Sequence, residues 1–312
     1  MNKEIVIKGK RIFYRVHGNG KPAMLVHGFG ETGDVWRNQV ESLRNKFMFI
    51  VPDLPGSGQS EMIDDMSMEG MAEIVKIILD TESPLQTSPG GGGFANTQTL
   101  LTENSLHEEN TKTSGSSKAP SFGEPVPQRR EGLGEVALIG HSMGGYIVLA
   151  FAEKYPERLS AFGLFHSTAY ADTEEKKAVR RKGIEFIREH GAFEFLKNTT
   201  PNLFSPITKQ YSPALVSQFV ESLRGFSADT LIAYYESMIK RPERLSILRS
   251  VQVPVLFIIG EQDNAIPLQD GLKQCHLPAK SYIHILHQSG HMGMLEEAEK
   301  SNKALEHFLS DI

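Results

Sequence analysis

The chain has 312 residues, of which 39% are hydrophobic and 23% are charged, so it carries enough apolar material for a packed core. This composition excludes fibrous, collagen-like and wholly disordered proteins. Asp and Glu number 38 against 33 for Lys and Arg, and the net charge of −5 argues against nucleic acid as a partner, because nucleic-acid binders are usually basic. The single cysteine, Cys275, excludes an intramolecular disulfide and fits a reducing compartment.

The N-terminal residues 1–12 alternate and are polar, without the apolar run of a signal peptide. No segment approaches the roughly 20 apolar residues that a membrane span requires. We therefore expect a soluble, cytoplasmic, globular protein with no membrane span. Its length alone would allow about two domains, since domains usually run roughly 100 to 200 residues.

Short apolar runs predict the strands of a sheet. Residues 5–7 and 11–16 flank Gly9-Lys10 and predict an antiparallel hairpin. Runs that are apolar throughout are typical of strands covered on both faces, as in a parallel sheet. The further predicted strands are 23–26, 47–51, 136–139, 159–165, 254–259 and 282–286.

Helical patterns fall between these strands. Ser67 can cap a helix whose apolar residues recur at helical spacing. Those apolar residues are Met71, Ile74, Val75 and Ile78. Residues 35–44, 143–154 and 296–309 are further predicted helices. Strands that alternate with helices predict a mostly parallel α/β sheet.

Two segments interrupt this alternation. Residues 167–253 are too long for a crossover, so they predict an inserted helical cap; its helical patterns are 174–190, 213–223 and 229–239. In residues 83–132, 31 of the 50 positions are Gly, Pro, Ser, Thr, Asn or Gln, and five are Leu, Ile, Val or Met. Such a segment cannot bury enough apolar area to offset the entropy of ordering, which predicts a disordered or weakly ordered insertion.

The pattern Gly140-His141-Ser142-Met143-Gly144 stands directly after a predicted strand and directly before a predicted helix. In that context G-x-S-x-G indicates a sharp turn that aims a serine nucleophile away from the sheet. Small residues at Gly140 and Gly144 let neighbouring backbone approach, and the following helix N-terminus favours developing negative charge. Because a serine hydroxyl is a weak nucleophile at neutral pH, Ser142 needs a base and a partner that orients the base.

The base and the acid are expected at other strand ends, because loops there converge above the sheet. Asp263 follows the strand 254–259, and His291 follows the strand 282–286. The chain order Ser142, Asp263, His291 is the one expected for a hydrolase with this elbow.

Other residues compete for these two roles. His287 is the rival base, but the flexible Ser289-Gly290 turn favours His291. Glu261 and Asp270 are the rival acids, and the loop position favours Asp263. His107, His190 and His307 lie in the insertion or in helical segments and are poor candidates.

With these motifs the chain resembles the α/β-hydrolase superfamily over nearly everything outside residues 83–132. The resemblance implies one α/β-hydrolase domain made of residues 1–82 and 133–312, interrupted by the cap at 167–253. It implies Ser142 as the nucleophile, His291 as the general base and acid, and Asp263 as the residue that orients His291.

The resemblance also assigns two loops. His27-Gly28-Phe29-Gly30 looks like the oxyanion loop, in which the backbone N–H of Phe29 joins that of Met143. Two such donors are typically worth a few kcal/mol each to a tetrahedral oxyanion. Residues 53–58 match an architectural loop of the family, so Asp53 is expected to have no catalytic role.

A serine nucleophile excludes the superfamily's epoxide hydrolases and haloalkane dehalogenases, which use an aspartate. What remains is hydrolysis of ester, lactone, thioester or C–C bonds, with perhydrolase side activity. We predict a serine hydrolase of a small carboxylic ester, with no cofactor and no metal. Two alternatives stay open, a C–C bond hydrolase of ring-cleavage products and a slow-turnover ligand sensor. The expected partner is a small-molecule ester; a carrier protein or signalling partner has no support in the sequence.

The cap carries two features with two interpretations each. Its aromatic and methionine side chains either line a substrate pocket or form the cap's own core: Phe186, Phe193, Phe195, Phe204, Tyr211, Phe219, Phe226, Tyr234, Tyr235 and Met238. Its basic cluster either attracts an anionic substrate or forms a solvated helix face. That cluster is Lys176, Lys177, Arg180, Arg181 and Lys182. Cys275 is expected to be inert packing.

Overall fold

A computed structural model of the protein describes residues 1–82 and 135–312. The insertion predicted for residues 83–132, with its glycine run, lies outside the described residues. The chain reaches that segment from a helix that ends at Thr81 and leaves it through a strand that begins at Val136.

The strands form one eight-stranded sheet. They are β1 (Asn2–Ile7), β2 (Lys10–His17), β3 (Lys21–Val26), β4 (Phe47–Pro52), β5 (Val136–His141), β6 (Leu159–Phe165), β7 (Val255–Gly260) and β8 (Ser281–Leu286). Their order across the sheet is β1-β2-β4-β3-β5-β6-β7-β8. The hairpin β1–β2 and the pair β2–β4 are antiparallel, and every other pair is parallel. The predicted mostly parallel α/β sheet is confirmed.

Helices connect the strands and cover the sheet. They are α1 (Arg37–Leu43), α2 (Met68–Thr81), α3 (Met143–Lys154), α4 (Glu174–His190), α5 (Ala192–Thr199), α6 (Pro206–Tyr211), α7 (Pro213–Ser222), α8 (Ala228–Lys240), α9 (Leu245–Ser250), α10 (Leu268–Leu272), α11 (Gly293–Glu296) and α12 (Ala298–Asp311). In the described part of the chain, no helix combines the length and the apolar character needed to cross a membrane.

The central strands are apolar throughout because each face packs against helices. In β5, Val136 and Leu138 belong to a core shared with α2 and α3. Ala137 and Ile139 belong to a second core, shared with α1 and α12. This alternation between two cores is what a strand without a polar face requires.

The predicted start of α2 is confirmed. The Ser67 hydroxyl accepts a hydrogen bond from the Gly70 N–H at 3.0 Å, and the apolar positions at helical spacing are buried. Two other helices differ from prediction. A 3-10 turn over Gly33–Trp36 precedes the shorter α1, and the helix predicted over 296–309 is α12, Ala298–Asp311, which follows a separate short helix, α11.

The segment between β6 and β7 holds α4 to α9, so the predicted inserted helical cap is confirmed. It has a hydrophobic core of its own, which includes Ile187, Phe195, Leu196 and Leu231. The short helices α5, α6 and α9 were not predicted, because six to eight residues give too little periodicity to recognise. The division into one domain of residues 1–82 and 133–312 with a cap at 167–253 stays a prediction.

Candidate active site

Ser142 lies between β5 and α3 with a backbone φ of 49°. A positive φ is strained for a residue that has a side chain, so surrounding contacts must hold it. The Ser142 N–H donates to the Phe165 carbonyl at 2.9 Å. The Ser142 carbonyl accepts from the Ser167 hydroxyl at 2.7 Å and from the Gly145 N–H at 3.0 Å. The turn therefore has the geometry of a nucleophile elbow.

Two glycines allow this turn to pack. A Cβ on Gly140 would lie 2.3 Å from the carbonyl oxygen of Gly144, and a Cβ on Gly144 would lie 2.4 Å from that of Val26. Real Cβ atoms do not approach backbone this closely, so a larger residue at Gly140 would force the turn open, and one at Gly144 would push α3 away from β3. The prediction that small residues at both positions let the backbone approach is confirmed.

The sequence-predicted acid and base lie together at the same edge of the sheet, at the carboxyl ends of β7 and β8. The Nδ1 of His291 lies 2.7 Å from Oδ2 of Asp263, and both side chains are buried. The other carboxylate oxygen, Oδ1, accepts from the N–H groups of Ala265 at 2.8 Å and Ile266 at 2.9 Å. Asp263 is thus fixed in the orientation that holds the His291 ring.

The rival residues pair with each other instead. His287 Nδ1 lies 2.7 Å from Oε2 of Glu261, and both side chains are exposed. Asp270 lies in α10, and no ion pair or side-chain hydrogen bond links it to either histidine in the described residues. The structure therefore brings His291 and Asp263 together and leaves the alternative pair at the surface.

Charge and burial act in opposite directions on this pair. Burial raises the pKa of Asp263, but the nearby His291 and the hydrogen bonds of two histidines outweigh it and hold the pKa well below its usual range. Burial lowers the pKa of His291, but the charge and the hydrogen bond of Asp263 outweigh it, so the pKa is raised. The histidine is therefore a stronger base than a free imidazole.

The loop predicted to bind the oxyanion, residues 27–30, follows β3 and lies against the elbow. A Cβ on Gly28 would be 3.2 Å from the Cβ of Ser142. Among the residues that the structure describes, the backbone N–H groups of Phe29 and Met143 have no hydrogen-bond partner. Met143 is the first residue of α3. The first N–H groups of a helix have no carbonyl partner within the helix. Both N–H groups are available to an oxyanion.

His166 is a buried residue of this site that the sequence analysis missed. It follows β6 with a φ of 48°, and its Nδ1 lies 3.3 Å from Oδ2 of Asp263, on the oxygen that also contacts His291. The N–H groups of Gly260 and Gly293 point at its two ring nitrogens, at 3.1 and 3.2 Å. Burial lowers the pKa of His166 to about 4, so the ring is neutral at neutral pH. Its place at a strand end was the signal that could have found it.

These groups could also be considered as metal ligands. Ligand atoms of His166, Asp263 and His291 all lie within 4.8 Å of one another. Hydrogen bonding explains why these three side chains lie close together, because the 2.7 Å between His291 Nδ1 and Asp263 Oδ2 is the length of a hydrogen bond. A metal ion between them would have to separate this pair.

Asp53 has architectural contacts. Its carboxylate bonds to Arg15 at 3.1 Å and accepts from the N–H groups of Gly33 at 2.9 Å and Gln59 at 3.2 Å. These bonds join β2 to the loops after β3 and β4. The cation and two N–H groups explain how a carboxylate can be buried there.

The cap covers the oxyanion loop with aromatic rings. The Phe29 ring stacks on Tyr235 of α8, with ring centroids 4.3 Å apart and planes 10° apart. It meets Phe195 and Tyr234 edge-on, each at 6.3 Å. Tyr211, by contrast, is 75% exposed. These cap aromatics therefore include rings that contact the Phe29 side chain and at least one ring, that of Tyr211, that faces solvent.

The basic cluster is partly neutralised. Arg180 Nε lies 2.5 Å from a buried carboxylate oxygen of Asp172, and Lys177 lies 2.8 Å from Glu174. Neither interpretation of the cluster is tested by these contacts. Cys275 is buried, and burial raises the pKa of its thiol, as expected of a residue used for packing.

Comparison with known proteins gives matches over nearly the whole chain. The model of the alpha/beta hydrolase family matches residues 23–304. A 2-hydroxy-6-oxononadienedioate/2-hydroxy-6-oxononatrienedioate hydrolase of Burkholderia vietnamiensis is 23% identical, over 96% of this chain and 91% of the relative.

Two solved structures share the fold. A thermophilic esterase from Thermogutta terrifontis has a TM-score of 0.78 and 24% identity, covering 100% of this chain and 98% of the esterase. The enol-lactonase of Burkholderia xenovorans has a TM-score of 0.76 and 18% identity, covering 99% of this chain and 100% of the lactonase.

Proposed function

The chain belongs to the alpha/beta hydrolase family, and within it we propose a serine hydrolase that cleaves a small carboxylic ester, lactone or thioester through an acyl-enzyme. The observation that carries the proposal is the convergence of three loops at one sheet edge. The strained Ser142 follows β5, and the buried pair Asp263–His291 follows β7 and β8. Two backbone N–H groups without partners among the described residues belong to Met143, next to Ser142, and to Phe29, next to Gly28, whose position approaches the serine.

The proposed acylation step follows from these groups. The Ser142 hydroxyl oxygen bonds to the substrate carbonyl carbon while His291 takes its proton. The charge that develops on the carbonyl oxygen is bound by the N–H groups of Phe29 and Met143. The bond to the leaving alcohol then breaks, and His291 returns the proton to the departing oxygen.

Deacylation uses the same residues in reverse. A water molecule attacks the acyl-Ser142 carbonyl while His291 takes a proton from the water. The tetrahedral intermediate collapses, the bond to the Ser142 oxygen breaks, and His291 gives its proton back to that oxygen. Asp263 holds the ring orientation and stabilises the imidazolium that forms in each half-reaction.

Hydrolysis of a C–C bond is the second candidate. The relative from Burkholderia vietnamiensis is named a 2-hydroxy-6-oxononadienedioate/2-hydroxy-6-oxononatrienedioate hydrolase. It matches 96% of the length of this chain. Such a substrate has a carbonyl group beside the bond that breaks, so the same serine, base and oxyanion donors would serve.

Steady-state kinetics separate these functions. We expect wild-type protein to turn over short-chain p-nitrophenyl esters and Ser142→Ala to lose roughly 10³-fold or more of kcat, because the acylation step disappears. A 2-hydroxy-6-oxo-dienoate is assayed in parallel. Faster Ser142-dependent cleavage of the dienoate than of every ester, lactone and thioester would favour the second candidate.

A burst of p-nitrophenol equal to the protein concentration, without turnover, would contradict an esterase and indicate a slow ligand sensor. Thr168→Val is a control outside the proposed mechanism, because the hydroxyl of this buried threonine donates to the Gln274 side chain, accepts from the Tyr170 N–H and takes part in no proposed proton transfer. We expect its kcat to stay within about threefold of wild type.

A further inference from the structure

Two buried ionisable residues of the site have no part in the proposed mechanism. Glu31 and His141 are 3% and 0% exposed. Glu31 follows the oxyanion loop, two residues after Phe29, and His141 directly precedes Ser142. A carboxylate buried this deeply requires partners that compensate its lost hydration.

The partners connect three loops. Glu31 Oε2 accepts from the Gly28 N–H at 2.7 Å and lies 2.9 Å from Nδ1 of His141. The other ring nitrogen of His141, Nε2, lies 2.9 Å from the backbone carbonyl oxygen of His291. The oxyanion loop, the elbow and the loop of the proposed base therefore meet at one pair of side chains.

These contacts indicate which ring nitrogens of His141 carry a hydrogen. A carbonyl oxygen only accepts hydrogen bonds, so Nε2 of His141 must carry a hydrogen. Nδ1 faces a carboxylate oxygen, which is also an acceptor while Glu31 is ionised. Burial raises the pKa of Glu31, but the charge and hydrogen bond of His141, with the Gly28 N–H, outweigh it and lower the pKa. With Glu31 ionised, both ring nitrogens of His141 are donors.

Other ionisable and aromatic side chains surround the pair Glu31–His141. The rings of His291 and His166 have centroids 5.0 and 6.1 Å from that of His141, and Trp36 meets it edge-on at 6.4 Å. His27 lies on the same loop as Glu31, and burial lowers its pKa. The carboxylate of Asp263 faces His291 and His166, so Glu31 is the carboxylate in contact with His141.

We propose that Glu31 and His141 form a buried carboxylate–imidazolium pair that positions the oxyanion loop and the His291 loop against the Ser142 elbow. Both are positioning residues, and this role rests on the proposed serine-hydrolase function. The pair acts on the placement of the Phe29 N–H through Gly28, and on the placement of His291 through its backbone carbonyl.

Glu31→Gln tests the pair with little change in shape. The amide can still accept from the Gly28 N–H, but the charge opposite His141 is lost. We expect kcat on the best ester to fall by about tenfold to 100-fold, because a displaced oxyanion donor weakens binding of the transition state. KM should change by less than about threefold, since ground-state binding does not use the oxyanion donors.

Asp34→Asn is the matched control, because Asp34 is an exposed acid three residues after Glu31, in the 3-10 turn that follows, and its ion pair is with Arg15 instead of a residue of the site. A trifluoromethyl ketone, which forms a tetrahedral adduct with a serine, gives a second readout. Its inhibition constant should weaken in Glu31→Gln by the same factor as kcat/KM and stay unchanged in Asp34→Asn.

Nitrogen-15 NMR of the histidine rings shows which ring nitrogens are protonated, and it does not require the protein to turn over a substrate. We expect two protonated nitrogens on His141 at pH 7 in wild type, assigned by loss of the signals in His141→Gln, and one in Glu31→Gln. A singly protonated His141 in wild type would overturn the ion pair. Unchanged kcat in Glu31→Gln with a wild-type melting temperature would overturn the positioning role.

A second variant covers the case in which Glu31→Gln does not fold. His141→Gln keeps a donor for the His291 carbonyl and removes the imidazolium, so it should show the same loss of kcat with little change in KM. If wild type shows no Ser142-dependent turnover, the proposed function and the positioning role both fall, whereas NMR still decides whether the pair exists.

Discussion

At Asp263, each carboxylate oxygen is contacted by two nitrogen atoms. Two backbone N–H groups hold Oδ1, and His291 lies at 2.7 Å and His166 at 3.3 Å from Oδ2. An anion with this many partners stays ionised when buried, and its charge raises the pKa of His291. The basicity of the proposed general base therefore depends first on Asp263, and the charges of Glu31 and Glu296 raise the pKa of His291 further.

The effect of Asp263 on the pKa of His291 predicts how kcat/KM changes with pH. His291 accepts a proton only when neutral, and its pKa is raised above the ordinary value of about 6.5, so activity should rise with pH through a midpoint above about 6.5. In Asp263→Asn the charge is lost, so we expect the midpoint to move to lower pH and kcat to fall by roughly 10³- to 10⁴-fold. Initial rates on one ester from pH 5 to 9 measure both effects.

A midpoint that moves to higher pH in Asp263→Asn would contradict this role of Asp263. Glu261→Gln is the matched control, because Glu261 is an acid that follows the same strand but pairs with the exposed His287. We expect the pH profile of this variant to overlay that of wild type.

At the scale of the elements, helix α8 of the cap contacts the proposed oxyanion loop through two tyrosine rings. Tyr235 stacks on Phe29, and the Tyr234 hydroxyl donates to the Pro55 carbonyl at 2.8 Å. Thr230 donates to the Gly56 carbonyl at 3.0 Å. One helix of the cap therefore holds two loops of the sheet edge.

Removing the stacked ring should loosen the oxyanion loop. We expect Tyr235→Ala to lower kcat by about tenfold, because the Phe29 backbone is no longer held by its side chain. Stability should fall by about 1 kcal/mol from the lost aromatic pair, in addition to the lost buried area. Kinetics and thermal melting check the two effects.

The matched control is Tyr211→Ala, since Tyr211 belongs to the same cap and is 75% exposed. It should leave kcat and the melting temperature unchanged within error. Equal effects of the two substitutions would show that contact with Phe29 has no special role.

Elements were predictable where the apolar pattern was long enough. The sequence predicted β6 and the helices α3 and α4 with the bounds that the structure shows, because each is bordered by clear breaks in pattern. Helix α11 was not predicted as a separate helix, because its four residues, Gly293–Glu296, give too little periodicity to recognise, and it ends just before Glu297. The Glu297 backbone leaves the helix there, with a φ of −127°.

The site was predictable in part for a similar reason. Ser142 and His291 stand in motifs whose local backbone sets their role, so the chain alone identified them as candidates. Glu31, His141 and His166 contact their partners only through the packing of neighbouring strands. Glu31 and His141 are 110 positions apart in the chain, and nothing local to either residue indicates the pair.

At the scale of the whole molecule, β5 is joined at its start to the segment outside the described residues and at its end to Ser142, the proposed nucleophile. Ser142 follows the carboxyl end of this strand, whereas residues 83–134 lead into its start at Val136. A strand of six residues spans roughly 20 Å. The segment therefore enters the sheet far from the proposed nucleophile.

Deletion of residues 84–131 should accordingly leave ester turnover largely intact, within about threefold of wild type, because the segment joins β5 at the end away from Ser142. Steady-state kinetics on the purified variant check this. A variant that melts at the wild-type temperature but loses most of its turnover would contradict the prediction and give the segment a role in catalysis.

The central claim is that Ser142 is the nucleophile, and covalent labelling tests it most directly. The protein is incubated with a fluorophosphonate, digested and analysed by mass spectrometry for the modified peptide. We predict stoichiometric modification of Ser142 in wild type, and a rate of modification at least about 100-fold lower in His291→Gln, where the base is lost. Modification of another residue, or none at Ser142 in folded protein, would contradict the claim.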